Sequence, residues 1–209
     1  GNYTLWLNLT DSQGNTVFTS GTLEVLPAPA VQLVPSRPSA DSGQTVTFTA
    51  EPSGGTGEYL AYSWSGLPSG CTGAPSNRVV CAIEATTPTD LVVSVQATDS
   101  NNVTSLPSPP LVFPVYPDPE ISPITPSEPG ADVGEPVILS ASVAGGSGQA
   151  VFTWEGLPSV GCENQAAGSV RCVFSAPGNV SLRVSALDSN GVETPVSPTL
   201  NYSVVGALA

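Results

Sequence analysis

Residues 1–15 read GNYTLWLNLTDSQGN, and residues 178–191 read GNVSLRVSALDSNG. The two stretches are near copies, and VSVQATDSNNV at 93–103 is a third version. Asp11, Asp99 and Asp188 mark the same point in each, 88 and 89 residues apart. Upstream of that aspartate every second residue is apolar: Leu5, Leu7 and Leu9 align with Val93, Val95 and Ala97, and with Leu182, Val184 and Ala186. Strict alternation is the signature of a strand with one buried face. The other face carries Trp6, Ser94 and Arg183, then Asn8, Gln96 and Ser185. A slip of one residue would bury Arg183, so the register is well specified.

The repetition extends over the whole chain. AYSWSGLPSGC (61–71) matches FTWEGLPSVGC (152–162), with Trp64 and Trp154 90 residues apart. ADSGQTVTFTA (40–50) matches ADVGEPVILSA (131–141). The chain therefore holds two whole repeats of about 90 residues and the last third of another. The expected units are a C-terminal hairpin of an incomplete repeat at 1–28, a repeat at 29–117 and a repeat at 118–209. Proline-rich joins at 26–38 and 116–129 read as extended, semi-rigid linkers. Strands are expected at VTFTA, YLAYSW, RVVCAI, LVVSVQAT and LVFPV, and at their counterparts PVILSASV, AVFTWE, SVRCVF, VSLRVSAL and LNYSVV. Short strands, short connections and no helical periodicity predict an all-β protein of tandem antiparallel β-sandwiches in a linear array.

Composition narrows the functional classes. The 209 residues include 17 Asp and Glu but only four Arg, with no Lys, His or Met, for a formal net charge of −13. Such a chain lacks the clustered cations that nucleic acid requires, and anionic lipid would repel it. Charged residues make up 10% of the chain, against about 25% in ordinary soluble domains. A surface made soluble by Ser, Thr, Asn and Gly suits an extracellular protein, and its few ion pairs predict tolerance of acid. No apolar run is long enough to insert in a membrane. No basic-then-apolar leader is visible, so the sequence reads as a mature chain or a fragment.

Each full repeat carries one C-x9-C pair after the tryptophan strand. The economical reading is two disulfides, Cys71–Cys81 and Cys162–Cys172, which place the protein in an oxidising compartment. The rival is a metal site, which would need four N or S ligands in a chain without histidine. No metal and no other cofactor is expected. Asn-x-Ser/Thr sequons occur at Asn2, Asn8, Asn102, Asn179 and Asn201. Asn2 and Asn179 are equivalent, Asn8 and Asn201 fall on outward positions, and Asn102 lies in a turn, so all five are candidate N-glycan sites.

GNYTLWLNLTDSQGNTVFTSGTLEV (1–25) and the Tyr-x-Trp of AYSWSG (Tyr62, Trp64) resemble the PKD-type immunoglobulin-like domains. These are common as tandem repeats in archaeal and bacterial surface proteins, and the resemblance covers all three copies. It implies an Ig-like sandwich in which Trp64 and Trp154 are buried beneath the sheets.

Catalysis is not expected. Without histidine there is no Ser–His or Cys–His pair. Asp41-Ser42-Gly43 has the form of an aspartic-protease triplet, but its repeat counterpart is Asp132-Val133-Gly134, and both read as turns. Glu84, Glu155 and Glu163 share no spacing that would pair them for glycoside hydrolysis. Asp99 and Asp188 read as Asx turns before calcium ligands. GGTG (54–57) and GGSG (145–148) lack the lysine and helix of a phosphate loop.

Two readings of function follow. The first is an extracellular structural protein, a segment of a rod or filament such as a surface fibre or surface-layer assembly. The second is an adhesin, or a carbohydrate-binding or spacer module, of a larger secreted protein. Residues 1–26 should form a hairpin whose apolar face (Leu5, Leu7, Leu9, Leu23, Val25) cannot stand alone. Its partner is either upstream strands of the same chain, the favoured expectation, or another copy of the protein by strand complementation.

Overall fold

The computed structural model describes residues 1–206; the last three residues of the 118–209 unit lie outside the described residues. Among the described residues every regular element is a strand. β1 (Asn2–Thr10) and β2 (Thr16–Glu24) form the expected hairpin, paired from Asn2↔Glu24 to Thr10↔Thr16. Asp11 closes it: its carboxylate accepts the amides of Gln13 and Asn15 and the side-chain amide of Asn15. This is the Asx turn that aspartate favours.

The first full repeat contains β3 (Ala30–Pro35), β4 (Ala40–Asp41), β5 (Thr45–Ser53), β6 (Tyr59–Ser65), β7 (Cys71–Thr72), β8 (Arg78–Ala82), β9 (Thr89–Asp99) and β10 (Leu111–Tyr116). Its two sheets run β3-β5-β8-β7 and β4-β10-β9-β6. The second repeat contains β11 (Glu120–Ile121), β12 (Thr125–Pro126), β13 (Ala131–Asp132), β14 (Pro136–Ser140), β15 (Val143–Ala144), β16 (Val151–Glu155), β17 (Cys162–Ala166), β18 (Ser169–Val173), β19 (Gly178–Leu187) and β20 (Leu200–Val205). Its main sheets are β12-β14-β18-β17 and β13-β20-β19-β16, with a short β11-β15 pair beside them. Where β3 and β5 are continuous, the second repeat divides the same two strands into β11 plus β12 and β14 plus β15.

Each repeat encloses its own core between its two sheets. In the first, Val46, Phe48, Val79, Val93, Phe113 and Val115 pack together, and Phe48 meets Phe113 edge to face at 5.4 Å. In the second, Val137, Leu139, Val170, Leu182, Val184 and Tyr202 do the same. The alternation read from residues 93–97 and 182–186 lands as expected: all six apolar positions are buried, while Arg183 is exposed and donates to Thr199 Oγ1.

The fold is the expected series of β-sandwiches, and four local details add to or differ from the sequence expectation. The join at 26–38 contains an edge strand: β3 starts at Ala30, and Pro35 sits opposite Phe48 at the sheet edge, where a missing amide costs no ladder bond. The join at 116–129 likewise contains β11 and β12. The sandwiches are not wholly antiparallel, because β4 pairs parallel with β10 and β13 with β20. The first strand of each repeat crosses between sheets, and its second half runs beside the last strand in the same direction. Trp64 and Trp154 are half-buried at their cores, because β6 and β16 are edge strands. The Trp64 indole N–H donates to Ser76 O in the loop beyond β7.

A device absent from the sequence reading shapes the β9–β10 and β19–β20 connections. The segments SLPSPP (105–110) and TPVSPT (194–199) do not continue a regular ladder. Ser105 and Ser108 instead turn their hydroxyls inward to accept the amides of Ala97 and Val95. Thr194 and Ser197 do the same for Ala186 and Val184. All four are buried, and each takes the place of a carbonyl that the prolines displace.

Candidate functional site

The cysteines fall where adjacent strands meet. Cys71 is bonded to Cys81 across β7–β8, and Cys162 to Cys172 across β17–β18. Each disulfide therefore ties neighbouring strands of one sheet, and Cys81 and Cys172 are part of the core. The five sequon asparagines are all exposed. Asn2 and Asn8 share the hairpin face opposite the leucines, Asn179 and Asn201 point outward from β19 and β20, and Asn102 adopts φ 59° in the β9–β10 turn.

The three glutamates weighed for glycoside hydrolysis lie on different elements, each beside another partner. Asp41-Ser42-Gly43 forms the β4–β5 turn, where Ser42 Oγ donates to Glu84 Oε2. Glu155 stands opposite Arg183 on β16–β19, and Glu163 opposite Arg171 on β17–β18. Among the described residues no three Asp, Glu, Cys or His side chains are placed to hold a metal ion. No described helix is long and apolar enough to cross a membrane.

Two further features stand out, at the hairpin and at the joint between the repeats. The first is the hairpin face. Leu5, Leu7 and Leu9 are 60%, 62% and 69% exposed, whereas their equivalents on β9 and β19 are at most 1% exposed. Leu23 and Val25 are likewise open, where Phe113, Val115, Tyr202 and Val204 are buried. These positions point to the side the alternation predicts, but no strand among the described residues covers them. Tyr3 and Val17 extend the same face. The opposite face carries Trp6, paired with Ser20, and Phe18, paired with Asn8; the two are diagonal on the ladder and both well exposed.

The second is the joint between the full repeats. In each repeat the glycine loop folds over the aspartate that ends the late strand. Asp99 Oδ2 accepts the Thr56 amide, and Asp188 Oδ2 accepts the Ser147 amide and hydroxyl. A Cβ on Gly55 or Gly146 would meet that carboxylate at 2.6 or 3.0 Å, and both have positive φ. The loop can approach this closely only as glycine. In the second repeat this end is docked on the first: Ser39 Oγ donates to Asn190 Oδ1 at 2.9 Å, and Gln44 Nε2 to Asn190 O at 3.2 Å. In the first repeat the equivalent end, around Asp99 and Asn101, opens into a cavity of about 300 Å³ shared with Glu24 and Pro27–Pro29.

No family model and no curated protein sequence matches the chain. Solved structures do. The chain is similar to Sidekick-1 immunoglobulin domains 1–4 at 13% identity and a TM-score of 0.51, covering 97% of this chain and 57% of that one. It is similar to the N-terminal eight Ig domains of Down Syndrome Cell Adhesion Molecule at 16% identity and a TM-score of 0.50, covering 99% of this chain and 27% of that one. At these identities the likeness is one of fold: tandem immunoglobulin-like β-sandwiches.

Proposed function

We propose that the chain is a segment of an extracellular rod, built of Ig-like repeats of the PKD kind and serving a structural, non-catalytic role at a cell surface. The observation that carries this reading is the hairpin face. Five apolar positions, buried in both full repeats, are open in the hairpin, and each fully buried leucine side chain would contribute about 1.5–3 kcal/mol. The hairpin is thus the closing edge of a third sandwich, whose remaining strands come from the same polypeptide or from another copy. Strands covering it would also bring a turn equivalent to Ser39–Gln44 over Asn101, filling the cavity at that end. The repeats then succeed one another end to end, each contacting only its neighbours. The disulfides supply cross-links for an oxidising compartment, and N-glycans on the exposed asparagines would keep the weakly charged sides of the rod soluble.

Electron microscopy of native material tests this. Thin rods or fibres with regular beading are expected, and isolated compact particles would overturn it. A second reading, an adhesin or carbohydrate-binding module, is favoured by Trp6 and Phe18, two exposed aromatic side chains on one face of the hairpin, of the kind that sugar rings stack on. Binding of neutral glycans that is lost in Trp6→Ala would support that reading.

A further inference from the structure

Asp41 is fully buried, yet neither of its carboxylate oxygens has a hydrogen-bond partner among the described residues. Its repeat counterpart, Asp132, is exposed. The two occupy the same place in the same turn, each on a two-residue strand parallel to the last strand of its repeat. Asp41 is therefore buried by the neighbouring repeat, not by its own fold. Ser39 and Gln44, on either side of it in the turn, both bond Asn190 of the second repeat, which puts Asp41 within reach of the charge on Asp188, two residues before Asn190.

Asp188 is held by donors of its own repeat. Its Oδ1 accepts the amides of Asn190 and Val192, and its Oδ2 the amide and hydroxyl of Ser147. Burial works against its charge, but the Ser147 and Val192 amides outweigh burial and hold the carboxyl below its ordinary value. All of these donors belong to the second repeat, so Asp188 stays ionised whether or not the repeats are docked. Two carboxylates buried against each other cannot both remain ionised cheaply. The Asn190 side-chain amide at the joint is also buried without a partner and favours the charged form of Asp41, but it does not remove the repulsion between the two carboxylates, which one proton would.

We propose that the joint between the repeats is a proton-operated catch, in which Asp41 takes up one proton from solvent and donates it in a hydrogen bond to the Asp188 carboxylate. With the proton in place the repeats are docked. Once it is lost, Asp41 swings out to water and the joint becomes flexible.

The surrounding groups agree with this. Burial, and after it the Asp188 carboxylate, raise the Asp41 carboxyl from 3.8 to about 6; Asp118 in the join pushes the same way and the Asn190 side chain opposes. On its own repeat, Arg37 is engaged by Gln44 Oε1, Glu84 by Ser42, and Tyr116 stands across the strand pair. In the undocked state Asp41 is exposed, as Asp132 is, and titrates near 3.8. A group whose value is raised by docking stabilises the docked state fully below about 3.8, and that contribution is lost as pH rises through about 6. A separation of about two units changes the ratio of docked to undocked molecules by roughly a hundredfold.

The test uses the 209-residue chain, with inter-repeat order followed by residual dipolar couplings and small-angle scattering from pH 4 to pH 8. The expected result is one orientation in acid and a broadened distribution above a midpoint near 6. Asp41→Asn, whose amide donates in place of the acid, should stay docked throughout, and Asp132→Asn should behave as wild type. Independently of any variant, the Asp41 carboxyl carbon should titrate near 6 in wild type. A titration near 4, a joint indifferent to pH, or an Asp41→Asn chain that keeps the transition would overturn the proposal. So would docking restored at pH 7.5 by calcium alone, which would make the missing partner a cation.

Discussion

Replacing Ser197 by alanine isolates the hydroxyl device of the late strands. Ser197 is buried, and its Oγ accepts the Val184 amide at 3.0 Å and donates to Pro198 O at 3.2 Å. The Ser197 amide bonds Val184 O at 2.9 Å and survives the change. Cβ also remains, so almost no cavity forms. The cost is therefore that of leaving one buried amide without an acceptor, about 1–3 kcal/mol. For a sandwich of this size, a loss of 2 kcal/mol lowers the melting temperature by about 8–16 °C. The assay is urea unfolding of the second repeat together with hydrogen exchange at the Val184 amide. The midpoint should fall with an unchanged slope, and protection at Val184 should fall with it. Ser203→Ala, on the exposed face of β20, should change stability by less than about 0.5 kcal/mol. If Ser197→Ala matches that control, the hydroxyl is not standing in for a backbone carbonyl and the account of these segments fails.

Two further outcomes are expected. Replacing Cys162 and Cys172 together by alanine should cost the second repeat roughly 2–3 kcal/mol, the chain-entropy value for so short a loop; unfolding with and without reductant measures it, and insensitivity of the wild-type chain to reductant would contradict it. Tyr202→Phe should leave stability unchanged or raise it by up to about 1 kcal/mol, because the buried Tyr202 hydroxyl has no partner among the described residues; a loss above 1 kcal/mol in the same assay would show that the hydroxyl is satisfied.

Much of the architecture was legible because it is written in local patterns. Alternation at 93–97 and 182–186 names the buried face of a strand whatever covers it. The matched C-x9-C pairs name which cysteines sit in one hairpin. The hydroxyl acceptors were missed although a signal existed: Ser108-Pro109 and Ser197-Pro198 recur at equivalent positions, each three residues after a buried Ser or Thr. Proline read only as a linker signal concealed that the segments at 30–35 and 120–126 carry sheet edges. The tryptophans were placed too deep because their strand is recognisable from sequence, whereas its position at the edge of a sheet is not.

From the order of its residues alone this protein is a series of disulfide-bearing β repeats with defined inner and outer faces, since side-chain period and turn chemistry act over a few residues. The tertiary structure decided which faces are left without cover and which turns are pressed together. Leu7 and Val95 carry the same pattern, yet one is open and the other buried. Asp41 and Asp132 sit in the same turn, yet only one is shut away with a second carboxylate. Burial depends on what arrives from elsewhere in the chain, and desolvation acts on a group according to that arrival and not on its sequence neighbours.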